Sequence, residues 1–349
     1  MRIYQIDPIN DERWARFLER HPKASVFHTV GWLQALRHSF QYEPVVFTTS
    51  SPTGELKNGL LFCRIESKLT GHRLVSLPFS DHCEPLCDSA DDLNLLLGYL
   101  QTTMERQNLK YLEIRPVDGN FARISGTNGF RLAATYYLHV LNLRRDLDEV
   151  FRSLDRDSVQ RRIQRAERAG LTESSGTSED LLKEFYALFV MTRGRHHLPP
   201  IPYRWFLSLI KFHGQAVEIR VAYKDNIPIS SILTLRCKDK VYYKYGCSDA
   251  RFNKFGGMPW LLWRAITTAK SNGAGDFDMG RTEEENMGLL VFKNHWVPDP
   301  LRLAYWRFPD SPFLGATDGW KLNMAKYAFS LMPDKLRTIA GKLIYRHIG

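Results

Sequence analysis

Alternating apolar and polar positions predict that the first half of the chain is built from mixed α/β elements. Apolar residues at helical spacing predict helices over residues 31–40 and 90–107. Short apolar runs bounded by turn residues predict strands over residues 45–49, 60–65, 73–77, 111–115 and 136–143. The predicted order is a helix, a three-stranded meander, a crossover helix and two more strands.

The second half repeats this order of elements without repeating the residues. Predicted helices cover residues 179–192, 202–212 and 259–271, and predicted strands cover residues 217–222, 229–236, 241–246, 276–279 and 301–306. The recurrence is one of elements rather than of sequence. Two copies of one α/β domain are the simplest interpretation.

An arginine-rich segment, residues 144–170, lies between the two halves. On a helix, Arg161, Arg165 and Arg168 would share a face at i, i+4 and i+7 and would contact phosphates together. The alternative is a solvated connecting helix in which acidic neighbours such as Glu167 offset part of the charge.

The C-terminal segment predicts a basic amphipathic helix. Its apolar positions at i, i+3, i+4, i+7 and i+8 are Leu336, Ile339, Ala340, Leu343 and Ile344. Such a helix either lies on an anionic membrane or packs on its own protein. We predict a first domain at 1–143, a second domain at 144–310 that includes the insertion, and a tail at 311–349 that packs back on the first domain.

Length and charge narrow the class of partner. A chain of 349 residues suits two domains that each bury a core. The net charge of +10 favours partners that carry phosphate or other anionic groups, such as nucleic acid, a coenzyme, a lipid-linked sugar or a membrane surface. No stretch resembles a signal peptide or a membrane span. We therefore expect a cytoplasmic protein, with peripheral contact at the inner face of the membrane as an option.

The cysteines do not indicate a disulfide framework. They number five and have no regular spacing. The one cluster that resembles metal ligands, His82, Cys83 and Cys87, lacks a second pair to complete four ligands. We expect no metal site.

A polar segment directly follows the short apolar strand predicted at 276–279. It contains Asp278, Arg281 and, further along, Lys293. Open α/β sheets bind ligands at the carboxyl ends of their strands. This segment is therefore the first candidate for a functional site.

The loop 251–257 is a second candidate because it runs into a predicted helix. Free amides at the helix start, with Arg251 and Lys254, would receive a phosphate. A tight turn explains Gly256 and Gly257 equally well.

Two other segments carry candidate substrate-binding residues. Tyr243 and Tyr245 are two residues apart, so they are predicted to share a strand face and line an acceptor pocket, although alternating aromatics are usually core. Arg195, in the segment 193–197, is predicted to lie in a loop over the site or at a helix end, where cations are favourable.

Several segments together resemble the Fem-type (FemAB-like) transferases of the GNAT superfamily, and most of all the members associated with exopolysaccharide loci. The segments are residues 27–33, 76–81, 158–170 and 280–296. The last is similar to the family pattern Gly-Arg-Ser, Gly, Phe-Lys, Trp-Gly. The chain departs from that pattern at Thr282 and Val297, and His82 and Cys83 depart from the first-domain motif.

The resemblance implies two tandem GNAT-like domains with an Arg-rich helical insertion. It implies transfer of an acyl or aminoacyl group from acyl-CoA or aminoacyl-tRNA, as co-substrate rather than tightly bound cofactor. The acceptor would be an amine of a cell-envelope or exopolysaccharide precursor, either a glycan or a lipid-linked molecule. The glycine spacing of a coenzyme loop is not clearly present, and residues 251–257 are a partial substitute.

Attack by an amine on a thioester or ester needs a neutral amine, alignment and stabilisation of the developing oxyanion. We hypothesise that Lys293 or Arg281 stabilises the oxyanion or a donor phosphate, and that Asp278 or Glu283 orients the amine or accepts its proton. The structural alternative is a buried Arg281–Asp278 pair, with Lys293 as a surface lysine beside Trp296.

The resemblance extends the expected substrate-binding set beyond the two tyrosines and Arg195. The added residues are Gly280, Thr282, Asn286, Phe292 and Trp296. The residues expected at the co-substrate are Arg251, Lys254, Gly256, Gly257, Arg161 and Arg165. A rival interpretation is a non-catalytic GNAT-like module that binds an anionic glycolipid or nucleic acid through the arginine helix.

Overall fold

A computed structural model describes residues 2–67, 70–119, 121, 129–309, 341 and 344–347. Within these residues, the chain forms two compact units. The first comprises residues up to 135, residues 303–309 and the described C-terminal residues, and the second comprises residues 136–302. The predicted division at 143/144 stays a prediction. Most of the predicted tail, 311–349, lies outside the described residues.

The first unit contains a mixed sheet with helices. Its strands are β1 (Tyr4–Ile6), β2 (Glu43–Thr48), β3 (Leu60–Ser67), β4 (Gly71–Val75), β5 (Tyr111–Ile114) and, from residue 303, β12 (Leu301–Phe308). They neighbour one another in the order β1-β2-β3-β4-β5-β12. The helices are α1 (Glu12–Arg20), α2 (Val30–Phe40) and α3 (Ala90–Arg106). The β4–β5 pair is parallel, and α3 connects the two strands.

Helix α3 covers this sheet through an apolar stripe. Leu93, Leu96, Leu97 and Leu100 recur at helical spacing and pack into one buried cluster with strand residues such as Phe62. Ser89 caps the helix start, since its side chain accepts a hydrogen bond from the Asp92 amide.

The second unit repeats this arrangement. Its strands are β6 (Arg131–Asn142, from residue 136), β7 (Thr172–Gly176), β8 (Val217–Lys224), β9 (Ile227–Cys237), β10 (Lys240–Ser248) and β11 (Asp276–Glu283). Their order is β6-β11-β10-β9-β8-β7. The helices are α4 (Leu147–Ser153), α5 (Arg161–Arg168), α6 (Glu179–Arg195), α7 (Tyr203–His213), α8 (Gly257–Ser271) and α9 (Met287–Asn294). Here β10 and β11 are the parallel pair, and α8 connects them.

Five elements were not predicted from the sequence, and two of them, β7 and α9, have a weak pattern. The five are β1, α1, α4, β7 and α9. Strand β7, with the sequence TESSG, has no fully buried residue and therefore no apolar alternation to detect. In α9 the fully buried residue is Lys293, while Phe292 packs against the core only partly buried, so burial does not follow hydrophobicity. The predicted mixed α/β class is confirmed, because the stronger elements are present at or near their predicted positions.

Within the described residues, no helix is long and apolar enough to cross a membrane. The same part of the chain contains no group of three or more His, Cys, Asp or Glu side chains arranged to hold a metal ion.

Candidate functional site

The carboxyl ends of β10 and β11 part from each other. Among the described residues, the two strands pair only at Lys240↔Asp276, Val241↔Phe277 and Tyr242↔Asp278. Strand β10 then continues to Ser248, and β11 continues to Glu283. We call the space between residues 243–248 and residues 279–283 the strand gap. Ligands of open α/β sheets bind at the carboxyl ends of strands, so the strand gap is the candidate site.

A bulge in β10 changes which way its tyrosines face. Tyr243 pairs with Thr234 and Tyr245 pairs with Leu233, so Lys244 is an extra residue in the strand. Because adjacent residues of β9 point to opposite faces, the two tyrosines do as well. The prediction that they share a face is therefore wrong.

The contacts of the two tyrosines agree with this register. The hydroxyl of Tyr243 lies 3.9 Å from Met258 Sδ, on the α8 side. Burial raises the pKa of Tyr243. The Tyr245 hydroxyl accepts a 2.8 Å hydrogen bond from Trp205 Nε1, and its ring packs against Phe206 of α7. Each tyrosine therefore packs against a different helix.

The start of α8 lies beside the carboxyl end of β10 and needs two glycines. Gly256 has a φ of 78°, and a Cβ there would lie 2.5 Å from the carbonyl oxygen of Arg162. A Cβ on Gly257 would lie 2.5 Å from Ser230 Oγ.

Within the described residues, no side chain caps the start of α8. Pro259 has no N–H and the Trp260 amide donates to the Gly256 carbonyl oxygen, so the amides of Gly257 and Met258 are the ones left without an intrahelical partner. Such amides at a helix start bind anions.

Ser230 was missed by the sequence analysis. The residue is 2% exposed, and its hydroxyl has no hydrogen-bond partner within the described residues. Its neighbour Ser231 is also buried but donates to the Arg220 carbonyl oxygen at 2.8 Å. The signal in the sequence was a pair of serines inside an otherwise apolar strand.

The structure brings part of the basic insertion to this helix start. Arg162 packs on Gly256, and Arg165 points Nη1 towards the Lys254 carbonyl oxygen at 3.4 Å. Arg161 is exposed and pairs with Asp157 at 2.6 Å, one turn back. The predicted co-substrate residues of α5 and of the 250–255 turn therefore lie on neighbouring elements.

Arg251 forms a local ion pair with Asp249. Its guanidinium contacts the Asp249 carboxylate at 2.6 Å, and this hydrogen bond holds the pKa of Asp249 below its usual value. The pair fixes the turn that leads into α8, because the Asp249 side chain also accepts from the Arg251 amide.

A second bulge, in β11, is held by Asp278 and Lys293. The register shifts between Asp278 and Arg281, and Gly280 has a φ of 72°. The Gly280 amide donates to Asp278 Oδ1 at 2.7 Å. Lys293 Nζ donates to the carbonyl oxygens of Gly280 and Arg281 at 2.9 and 3.0 Å.

Lys293 is 3% exposed, so the interpretation of it as a surface lysine is wrong. The ammonium binds backbone carbonyls of β11, which satisfies polar groups that the bulge removes from the ladder. Its contacts are those of a residue that fixes the shape of the strand gap.

His139 lies behind this bulge and was also missed. It is fully buried, and its Nε2 is 2.8 Å from Asn294 Oδ1. Burial lowers its pKa, opposed by the hydrogen bond to Asn294, and the charge of Lys293 lowers it further. Because an amide oxygen accepts, Nε2 carries the proton of a neutral ring. A histidine within the apolar strand YYLHVLNL was the available signal.

The remaining predicted residues of the polar segment have different surroundings. The Arg281 guanidinium lies 4.1 Å from the centre of the Tyr136 ring, and Glu283 is exposed. Thr282 is 1% exposed, with no partner for Oγ1 within the described residues. Asn286 caps α9 by accepting from the Leu289 amide at 3.2 Å.

Three residues predicted to contact a ligand have other contacts in the structure. Trp296 is 1% exposed within the hydrophobic core, against which Phe292 also packs, so the core accounts for both. Arg195 is inside α6, so the loop interpretation of 193–197 is wrong for its first part. Arg195 Nη1 lies 3.3 Å from the Ser248 carbonyl oxygen, at the end of β10.

Comparison with known proteins identifies the fold class that this geometry belongs to. Residues 154–293 match the family described as Acetyltransferase (GNAT) domain. The crystal structure of FemX superposes with a TM-score of 0.67 at 14% identity, covering 88% of this chain and 97% of FemX. No curated protein matches the sequence.

Two further structures are similar over most of their lengths. L-PGS from Bacillus licheniformis gives a TM-score of 0.56 at 14% identity, over 93% of this chain and 98% of that protein. A tandem GNAT protein from the clavulanic acid biosynthesis pathway gives 0.56 at 10% identity, over 89% and 99%. The chain therefore has the predicted fold of tandem GNAT-like domains, and the residues that match the acetyltransferase (GNAT) model lie in its second unit.

Proposed function

We propose that the protein is an N-acyltransferase whose site is the strand gap. It transfers an acyl or aminoacyl group, from acyl-CoA or aminoacyl-tRNA, to an amine of a cell-envelope or exopolysaccharide precursor. The parting of β10 and β11 beside an uncapped helix start carries this proposal. The match to an acetyltransferase (GNAT) domain across the same residues supports it.

The start of α8 binds the donor phosphates in this proposal. The free amides of the first turn, the Ser230 hydroxyl and the nearby cations Lys254 and Arg165 supply donors of hydrogen bonds and positive charge. Both suggested donors carry phosphate groups.

The edge of β10 that faces the strand gap aligns the acyl group. Beyond Tyr242 this edge does not pair with β11 within the described residues. The Ser248 amide donates to Thr192 Oγ1, so a backbone amide of β10 before Ser248 receives the developing oxyanion in this proposal. The amine nitrogen attacks the carbonyl carbon, the bond to sulfur or oxygen breaks, and an amide forms.

The proton of the amine goes to a carboxylate at the end of β11. Glu283 is exposed, whereas Asp278 is buried and holds the Gly280 amide. We therefore assign Glu283 the role of base and Arg281 that of an electrostatic partner of the donor. Lys293 is a positioning residue, because its ammonium holds the carbonyl oxygens of Gly280 and Arg281.

The replacement Lys293→Met tests the site. We expect kcat/KM to fall on the order of 10²-fold, because the bulge loses its two charge-assisted hydrogen bonds. Product amide is measured by mass spectrometry with acyl-CoA and aminoacyl-tRNA offered separately. Lys183→Met, which removes an exposed lysine of α6, is the matched control.

Circular dichroism and thermal unfolding check that the Lys293→Met protein is folded, and Lys293→Arg, which keeps the charge, is expected to recover part of the activity. Normal turnover in folded Lys293→Met would contradict the assignment. Salt-sensitive binding of generic RNA or DNA, with no transfer from either donor, would instead favour the non-catalytic binding module through the arginines of α5.

A further inference from the structure

Helix α9 buries a lysine and exposes large apolar residues, although its Phe292 packs against the core. Its sequence is MGLLVFKN, and the buried residue is Lys293. Met287 is 61% exposed and Val291 is 47% exposed. Leu290 is half-buried, and a Cβ on Gly288 would meet nothing within 4 Å. We call Met287, Gly288, Leu290 and Val291 the outer face of α9.

The outer face is a patch and not a set of scattered residues. Met287, Leu290 and Val291 are spaced at i, i+3 and i+4, so they cover one side of consecutive turns. Single exposed apolar residues such as Leu207 and Ile227 are ordinary in soluble folds. Contiguous exposed apolar residues are a common feature of ligand and partner sites.

Three glutamates adjoin the outer face. Glu283 ends β11, Glu284 and Glu285 form the turn to α9, and Glu283 and Glu285 are exposed. The Asn286 amide donates to the Glu283 carbonyl oxygen at 3.0 Å, which keeps this turn compact. Arg302 lies near Glu284 and offsets part of the charge. The occupant of the outer face therefore meets negative charge at the end nearest the strand gap.

We propose that the acceptor is an amphipathic amine, whose apolar body lies on the outer face of α9 and whose ammonium enters past Glu283 and Glu285. This inference rests on the proposed function and names the acceptor class for the same site. A protonated amine is cationic in solution, so it complements the glutamates, and it loses its proton to reach the nucleophilic state.

The negative charge of the glutamates disfavours two other occupants of the outer face, an anionic membrane and a second copy of the chain. An anionic membrane would place phosphates against the glutamates, which repels it. A second copy joined by a twofold axis would set the same patch against itself and bring like charges together. An apolar amine has neither conflict.

Binding of alkylamines without any acyl donor tests the proposal. We expect affinity by titration calorimetry to rise about tenfold from butylamine to octylamine, since each partly buried CH₂ adds to the binding free energy. The double replacement Met287→Gln, Val291→Gln should lower octylamine affinity about fivefold and leave butylamine within about twofold. The replacement Glu283→Gln, Glu285→Gln should weaken both amines.

The matched control is Leu207→Gln, Ile227→Gln, which removes the same number of exposed apolar residues from α7 and β9. Equal affinity for both amines, or an equal loss in the control, would overturn the proposal. Two results seen in the α9 variant and not in the control would also overturn the proposal. One is loss of flotation with phosphatidylglycerol vesicles, which would indicate a membrane surface. The other is a change of molecular mass in sedimentation, which would indicate a second copy of the chain.

Transfer assays separate this inference from the proposed function. If ethanolamine and octylamine are acylated with equal kcat/KM, the acyltransferase assignment stands and the acceptor class is wrong. If octylamine binds on α9 but no donor supports transfer to any amine, the binding surface stands and the enzyme assignment is wrong.

Discussion

The carboxyl ends of the two parallel strand pairs, β4–β5 and β10–β11, differ although the same elements form them. Each pair is joined by three residue pairs and connected by a helix. In the first unit, the chain fills the space beyond the strands. In the second, β10 and β11 part, and the next helix begins with two glycines.

Arg115 is the residue that fills the first of these ends. Its guanidinium donates to the Leu77 carbonyl oxygen and contacts the Glu113 carboxylate at 2.8 Å. It also lies 4.9 Å from the centre of the Tyr305 ring. Its carbonyl oxygen accepts from the Cys83 amide at 2.7 Å.

The β4–β5 end is filled by side chains, whereas the β10–β11 end is the one proposed as the site. At β4–β5, a network of charged side chains and backbone groups occupies the strand end. Among the described residues, β10 and β11 do not pair with each other beyond Tyr242 and Asp278, and the helix that follows β10 starts without a side-chain cap. We therefore propose the site at the strand end where the residues after the strands leave polar groups without partners within the described residues.

Removing the charge at the first end should give the largest effect. Glu113 is 4% exposed and binds Arg307 at 2.6 Å as well as Arg115. Burial raises its pKa, but the two arginines outweigh burial and lower it. Glu113→Gln leaves two buried guanidinium groups short of a counter-charge, so we expect a loss of about 3–5 kcal/mol in urea unfolding.

Glu55→Gln is the control for Glu113→Gln, because Glu55 forms an exposed pair with Arg20 and should cost about 0–1 kcal/mol. Acyl transfer per folded molecule should stay within about twofold in both variants. Equal stability losses would show that the first strand end is not held by this network.

A side chain at the start of α8 should give the next largest effect. Gly256→Ala combines a positive φ with a Cβ 2.5 Å from a backbone oxygen, so we expect a loss of about 2–3 kcal/mol and a higher KM for the donor. Gly273→Ala has a φ of 81° but open space, and it should cost about 1 kcal/mol with an unchanged KM.

If the Gly256→Ala and Gly273→Ala proteins have similar KM values for the donor, the start of α8 does not bind the donor. Chemical unfolding supplies the stability difference, and steady-state kinetics at varied donor concentration supply the KM values.

The smallest effect on stability is expected at Ser230. This residue gives the most direct test of whether the β10–β11 end binds the donor. Its hydroxyl has no partner within the described residues, so Ser230→Ala should change stability by less than about 0.5 kcal/mol. Donor KM should rise about threefold to tenfold if the hydroxyl binds a donor phosphate.

Ser231→Ala should show the reverse behaviour. It loses a 2.8 Å hydrogen bond to the Arg220 carbonyl oxygen, so stability should fall by about 1 kcal/mol while donor KM stays unchanged. A shared pattern in the two serine variants would mean that Ser230 has only a packing role.

Sequence patterns predicted the fold well where a periodic apolar face was strong. The helices α3 and α8 and the strands β9 and β10 were expected near their observed bounds, because each buries many apolar residues. The segment after β11 was also identified, since polar residues after an apolar strand are visible locally. Weak elements such as β7 and α9 were not, because their burial does not follow their hydrophobicity.

The sequence by itself determined the mixed α/β class, the repeated order of elements and the segment around Arg281 as a candidate site. Only the tertiary structure decided that a bulge turns Tyr243 and Tyr245 to opposite faces, that Lys293 binds two backbone carbonyls, and that Ser230 lies against Gly257. Periodicity is a local property of the chain. Strand register and contacts between distant residues depend on how the elements pack, and one inserted residue reverses the direction of every side chain after it.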